Sequence, residues 1–276
     1  MIKYCFLNDK IIPLDEAKVS VEDIGLLRGY GIYEGITTFN NKLFRLEDHL
    51  ERFEKSAKAL GLKIPYSREK IAEILNELVK KHGFSRTNLR IILTGGVAEG
   101  GIYYNEATPT FYVLAEEWKS LPTELYEQGA SLITHEYLRT LPEMKTVNYI
   151  IAVSLQQERK KKNAIEILFT SESKALEAAT SNFFMIKDNV LITPKDNVLY
   201  GITRKVVLEL ARDSFVIEER EVSLKELADA DEVFITASYK NIVPIVEIDG
   251  KKVSNGKVGG GTQKIMKLFN DYTKQF

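Results

Sequence analysis

Helical stripes and short strand-like runs are interleaved along this whole chain, and they never settle into a regular strand–helix–strand beat. That pattern favours mixed α+β (α/β) domains over a doubly wound parallel sheet. YCFLN and IIPL around Asp9-Lys10, and ITTF and KLF around Asn40-Asn41, read as two hairpins. A helix is predicted over about 47–60, where Leu50, Phe53, Ala57 and Leu60 recur at helical spacing and Gly61 stands at the terminating position. After Pro65, Ser67 is placed to cap a second helix with the stripe Ile71, Ile74, Leu75, Leu78 and Val79. LRIILT at 89–94 and TFYVLAEEW at 110–118 read as strands, separated by the glycine-rich GGVAEGG, either a gate or a flexible connector.

A length of 276 residues suggests about two domains. The pattern breaks at SLPTELYEQ, so the expected division is 1–118, a linker over 119–127, and 128–276. The second part continues with strand ASLITHEYL, a helix over about 147–162, strand IEILFT, and the pair FFMIK and VLIT joined at Asp188-Asn189. A helix opens at Thr203, and Ser223 and Glu226 stand in capping-box spacing before a short one. VFIT and VPIVEI read as buried strands and KIMKLFNDY as a last amphipathic helix; Gly259–Gly261 before it reads as a turn.

Charge excludes several function classes. With 38 Lys+Arg against 39 Asp+Glu, the chain lacks the electrostatic footprint of a nucleic-acid binder. No apolar run approaches the ~18 residues of a membrane span. Lys3, Asp9 and Lys10 deny the N-terminal segment a signal-peptide core. Cys5 is the only cysteine, which excludes an intrachain disulfide, and the three histidines show no metal-ligand spacing. No phosphate-loop, serine-hydrolase or zinc-protease motif is present. The expectation is a soluble, cytoplasmic two-domain protein without metal, nucleic acid or membrane as partner.

Four features carry possible chemistry. GITR at 201–204 opens a helix whose free N–H groups make an anion site, or in which Thr203 is simply a cap. TAS at 236–238 ends a buried strand with small residues that allow close approach to a phosphate, or form a plain turn. Arg52 lies beside the apolar stripe of the 47–60 helix with His49 and Ser56 on the same flank, as a phosphate ligand or an exposed salt-bridging residue. Lys145 in LPEMKTVNY and Glu177 in KALEAATSNFF are the residue types of a pyridoxal phosphate site, a Schiff-base lysine and an acid for the pyridine nitrogen. Each also has a surface-residue reading.

The ordered set HLERF at 49–53, KTVNY at 145–149, EAATSN at 177–182, GITR at 201–204 and VFITAS at 233–238 resembles the class IV, fold type IV, pyridoxal-phosphate aminotransferases. That family includes branched-chain and D-amino-acid aminotransferases and aminodeoxychorismate lyases, and the resemblance spans practically the whole chain. It implies a smaller N-terminal α/β domain, a larger C-terminal domain that binds pyridoxal 5'-phosphate, and a homodimer. It also implies that Lys145 is the Schiff-base lysine and acid/base, that Glu177 binds the pyridine nitrogen, and that Arg52, Ile202, Thr203 and Ser238 hold the phosphate. Tyr149 resembles the tyrosine on the cofactor's phenolic oxygen.

On the substrate side, GYGIYEGITTF at 29–39 resembles the family's strand over the substrate, with Tyr33 as aromatic wall. Arg90 matches an arginine of branched-chain enzymes, and the backbone at Ala237 and Tyr239 is expected to take the α-carboxylate. Asn88 stands where a tyrosine is usual, and the spacing in KTVNY is that of the D-amino-acid and lyase branches. The resemblance implies a ping-pong transfer from branched-chain L-amino acids to 2-oxoglutarate; D-amino-acid transfer and pyruvate elimination are the alternatives.

Overall fold

The computed structural model describes residues 2–276. Two compact units share the chain, and the division is not a single cut: the first runs to Lys119 and takes in Met144–Tyr149 and Phe276, while the second holds Ser120–Glu143 and Ile150–Gln275.

In the first unit the order is β1 (Tyr4–Leu7), β2 (Lys10–Pro13), α1 (Ile24–Arg28), β3 (Gly31–Phe39), β4 (Lys42–Leu43), α2 (Leu46–Ala59), α3 (Arg68–His82), β5 (Thr87–Thr94) and β6 (Thr110–Glu117). The strands form one antiparallel sheet in the order β2-β1-β6-β5-β3-β4. Both expected hairpins are present. The first turns on Asn8-Asp9, one residue before the expected Asp9-Lys10, because both turn residues take positive φ (49° and 65°), which Asn and Asp tolerate better than Lys. Asn40 and Asn41 turn the second with the same geometry. The Ser67 side chain caps α3 by accepting from Lys70 N–H, and Gly83 ends it in the left-handed conformation. Leu50 and Phe53 of α2 and Leu75 and Leu78 of α3 share one core with Ile36, Leu89 and Val113 of the sheet.

The second unit continues with α4 (Thr123–Glu127), β7 (Ala130–Glu136), α5 (Ile150–Ser154), α6 (Gln156–Lys161), β8 (Glu166–Ser171), β9 (Lys174–Ala178), β10 (Asn182–Lys187) and β11 (Val190–Thr193). Then come α7 (Ile202–Ala211), β12 (Val216–Glu219), β13 (Val222–Ser223), α8 (Leu224–Ala228), β14 (Glu232–Ala237), β15 (Asn241–Ile248), β16 (Lys251–Lys252) and α9 (Gly260–Gln275). Its sheet runs β12-β11-β10-β14-β15-β7-β8-β9-β13, with β16 paired to β15. Most pairs are antiparallel; β11–β12, β15–β7 and β7–β8 are parallel, which gives the mixed architecture. Phe183, Met185, Ile192, Ile235, Val243 and Ile245 anchor its core. Among the described residues, no helix is long and apolar enough to cross a membrane.

Three local expectations change. Residues 123–127, inside the segment read as a linker, form α4. The helix expected over 147–162 begins only at Ile150 and is interrupted at Leu155. Its first residues are extended instead, because Tyr33 N–H donates to Lys145 O (2.9 Å) and Val147 N–H to Gly31 O (3.0 Å), adding a short strap to the start of β3. Finally, the glycines before α9 do more than turn: Gly261 N–H and Thr262 N–H donate to the Glu232 carboxylate at 2.9 and 2.6 Å, so the helix N-terminus holds an internal anion.

Candidate active site

Five of the eleven residues singled out from the sequence lie in the first unit, four of them about β3 and the strap and the fifth, Arg52, on α2. Lys145 is fixed by its backbone, through the strap bonds to β3 and by donation of its N–H to Ser56 Oγ (3.2 Å) on α2. Its Nζ lies 4.6 Å from the centroid of the Tyr33 ring. Tyr33 and Tyr149 share a hydrogen bond between their hydroxyls (2.7 Å), with the rings edge to face at 5.8 Å. Burial pushes the Tyr33 phenol above its ordinary value, so it stays protonated at neutral pH. Arg90 on β5 is paired opposite Gly35, two residues along from Tyr33, and strand alternation places both side chains on one face of the sheet.

Arg52 occupies the other face of β3, where it meets a buried carboxylate. Glu34, fully buried, accepts from Arg52 Nε (3.0 Å) and Nη2 (2.6 Å), from His49 Nδ1 (2.8 Å) and from the Gly35 N–H (2.9 Å). His49, Arg52 and Ser56 follow at spacings of three and four along α2, which turns all three toward β3 and the strap. Burial alone raises the Glu34 carboxyl, but the Arg52 guanidinium and His49 outweigh it and hold it well below the usual carboxylate range. Burial also lowers the His49 imidazole below its ordinary value, against the pull of Glu34. The ring is then neutral, and meeting a carboxylate with Nδ1 places its proton there. Its Nε2 is buried without a protein partner.

The other six lie in the second unit. Glu177 on β9 is buried, and its carboxylate accepts from Arg139 Nε (2.8 Å) and from Leu199 N–H (3.0 Å). Asn182, which opens β10, donates from Nδ2 to Leu199 O (2.6 Å). Both polar backbone groups of Leu199 are therefore held by side chains from neighbouring strands. That fixes the approach to α7, whose first residues are Ile202 and Thr203 and whose N-cap, Gly201, offers no side-chain bond. A Cβ at Gly201 would lie 2.0 Å from Asn182 Oδ1, so a larger residue there would push the Asn182 amide away from its bond to Leu199 O. Ala237 ends β14 beside Ser238 and Tyr239 in the following turn. Thr236, paired to Asn182 across the sheet, has a buried hydroxyl without a protein partner. Arg204 of the GITR segment serves structure, donating from Nη2 to Pro194 O (3.0 Å) and Glu219 (2.8 Å).

Sequence reasoning missed Glu34, Arg139 and Asn182. Glu34 does leave a signal, a single charge in the middle of the nine-residue strand GIYEGITTF. Arg139 leaves none, since its carboxylate partner lies 38 residues further along.

Within the second unit, an N-terminus of α7 without a side-chain cap, a buried threonine hydroxyl without a protein partner and a tethered carboxylate are groups that a phosphate and a ring nitrogen would use. Within the first unit, a lysine amine lies against paired tyrosines, the residue type to which a carbonyl cofactor attaches. The residues present fit a pyridoxal phosphate. The sequence profile of the family described as amino-transferase class IV matches residues 31–248, and the chain belongs to the class IV aminotransferases, which are pyridoxal-phosphate enzymes. It is 33% identical over 276 residues to a putative branched-chain-amino-acid aminotransferase of Methanocaldococcus jannaschii, covering 96% of this chain and 95% of that one. A D-alanine aminotransferase of Staphylococcus haemolyticus is 34% identical over 273 residues, covering 97% and 96%. Among solved structures, the branched-chain aminotransferase of the thermophilic archaeon Thermoproteus uzoniensis with norvaline superposes with a TM-score of 0.91 at 27% identity, over 100% of this chain and 96% of that one.

Proposed function

We propose that this aminotransferase moves the amino group of branched-chain L-amino acids to 2-oxoglutarate by a ping-pong route, working as a homodimer in the cytoplasm. The observation that carries the substrate side is the aromatic wall at the reacting amine, formed by Tyr33 and Tyr149 beside Lys145 Nζ. Such a wall suits an apolar side chain. Similarity to proteins named as branched-chain enzymes supports the same reading. The similarity to a D-alanine aminotransferase keeps D-amino-acid transfer as the second one.

Bound pyridoxal phosphate supplies a carbonyl for covalent attachment and a ring that delocalises the negative charge left at the substrate Cα. Lys145 Nζ takes the α-proton and returns it on the other side of the transfer. Tyr149 donates to the cofactor's phenolic oxygen, and its bond to Tyr33 fixes both hydroxyls. Arg52 binds phosphate with Glu34 and His49 holding its guanidinium in orientation. In the second unit, the first-turn N–H groups of Ile202 and Thr203, with Ser238, bind phosphate, and Glu177 faces the pyridine nitrogen. The backbone at Ala237 and Tyr239 receives the α-carboxylate, and Arg90 meets the second carboxylate of 2-oxoglutarate. The domain plan that goes with this reading is 1–118 and 128–276 about the 119–127 segment.

The test is the visible absorption of the cofactor-loaded protein before and after L-leucine alone. Conversion to the pyridoxamine form, reversed by 2-oxoglutarate, is the expected result. Conversion by D-alanine but not by L-leucine would move the assignment to D-amino acids.

A further inference from the structure

Deep in the second unit sits an ion pair that the reaction as described does not use. Glu166 opens β8 and is almost fully buried; Lys240 ends the turn between β14 and β15, with its side chain about four-fifths buried (21% exposed). One carboxylate oxygen, Glu166 Oε1, accepts from Lys240 Nζ, from Thr180 Oγ1 (2.5 Å) and from Ser181 Oγ (2.9 Å). Lys240 Nζ also donates to Thr180 Oγ1 (2.6 Å). The backbone on the other side is held as well, since Tyr126 OH donates to Lys240 O (3.0 Å). Burial works against a charged Glu166, and Lys240 and the two hydroxyls outweigh it, so the carboxyl is held below its usual range.

What these four side chains join is specific. Thr180 and Ser181 lie in the turn after β9, three and four residues beyond Glu177. Lys240 lies two residues beyond Ser238 and one beyond Tyr239. A lysine reaching a carboxylate buried on a third strand, through hydroxyls of the other turn, ties the two turns at one point. A surface ion pair has no such geometry and contributes little.

Resting on the function proposed above, we infer that Glu166 and Lys240 are positioning residues: their pair latches turn 238–240 to turn 179–181, and so sets the spacing between the Ala237–Tyr239 backbone and the Glu177 carboxylate. The latch acts through both turns at once. Loss of either partner therefore loosens both, including the turn that carries neither substitution.

The experiment uses the full chain and the variants Glu166→Gln, Lys240→Met, Lys240→Arg and the double Glu166→Gln/Lys240→Met. Amide hydrogen exchange is read for peptides covering 178–182 and 237–241 without any ligand. Lys240→Met is expected to speed exchange in 178–182, and Glu166→Gln in 237–241, each by about tenfold, while Lys240→Arg stays near wild type. If faster exchange is confined to the substituted residue's own segment, the latch is refuted. Cofactor affinity gives a second reading, by sign. Through-space electrostatics alone makes Lys240→Met weaken a phosphorylated ligand and Glu166→Gln strengthen it; the latch makes both weaken it, and the double variant no worse than the poorer single. Opposite shifts would overturn the inference. Should Lys240→Met fail to fold because it strands a buried carboxylate, Glu166→Gln and the double variant still decide it. A wild-type chain that binds no pyridoxal phosphate would defeat the functional reading, while the exchange result would judge the latch separately.

Discussion

Removing Glu34 tests the buried charge cluster most directly. Glu34 is 0% and the Arg52 side chain 9% exposed, and three of the four bonds Glu34 accepts come from side chains that are themselves buried. Hydrogen bonds to a charged group are each worth about 1.5–3 kcal/mol, but the carboxylate's own desolvation offsets much of that sum. Breaking a buried pair by removing one partner leaves the other charge uncompensated and costs about 3–5 kcal/mol, the expected destabilisation for Glu34→Ala. Trp118 is the only tryptophan, it belongs to the same unit, and the Arg86 guanidinium carbon lies 4.1 Å from its ring centroid, so its fluorescence in urea reports the right region. Glu34→Met with Arg52→Met removes both charges and is expected to recover most of the loss. The pH dependence has a defined sign. A carboxyl held below its unfolded value of about 4.3 stabilises above that pH and loses the contribution as pH falls further. Wild type should therefore lose its advantage over Glu34→Ala only below about pH 4.3. A Glu34→Ala cost under ~1 kcal/mol at pH 7, or a double variant no better than the single, would refute the reasoning.

Lys145→Ala should lower the half-reaction rate with L-leucine by at least ~10²-fold, with the fold intact by circular dichroism. Arg139→Met removes the Arg139 Nε bond to the Glu177 carboxylate and should weaken cofactor binding, measured by equilibrium titration; unchanged affinity would show that the remaining contacts of Glu177 suffice. Gly201→Ala places a Cβ 2.0 Å from Asn182 Oδ1 and should cost about 1–3 kcal/mol in urea unfolding through overpacking. Arg90→Ala should raise the KM for 2-oxoglutarate ~tenfold, leaving the L-leucine half-reaction within about twofold; an unaltered KM would remove Arg90 from acceptor binding.

Elements written in local chemistry were readable from the sequence. The stripe Leu50, Phe53, Ala57 lies on α2, Ser67 and Ser223 both cap helices by accepting from the third residue on, and Asn40-Asn41 and Asp188-Asn189 turn their hairpins at positive φ. In the sequence the strap that carries Lys145 leads straight into a helical pattern, whereas its extended conformation is set by Gly31 and Tyr33, more than 110 residues earlier. The same distance problem hides Arg139 behind Glu177 and Lys240 behind Glu166. The segments bearing candidate site residues stood out through motif order, whereas the side chains that hold them in place follow no spacing rule.

The strap has a consequence for the chain as an assembly of pieces. Residues 144–149 hydrogen-bond into the first unit yet are covalently bracketed by Glu143 and Ile150 of the second. A single nick anywhere in 120–143 therefore cannot separate the units into two self-sufficient products: the N-terminal fragment would lack the hydrogen-bonding partner of Gly31–Tyr33, and the C-terminal fragment would carry it. Each half would keep a docking strand or its receptor, so co-expressed fragments split there are expected to reassociate, with Lys145 on the incoming strand.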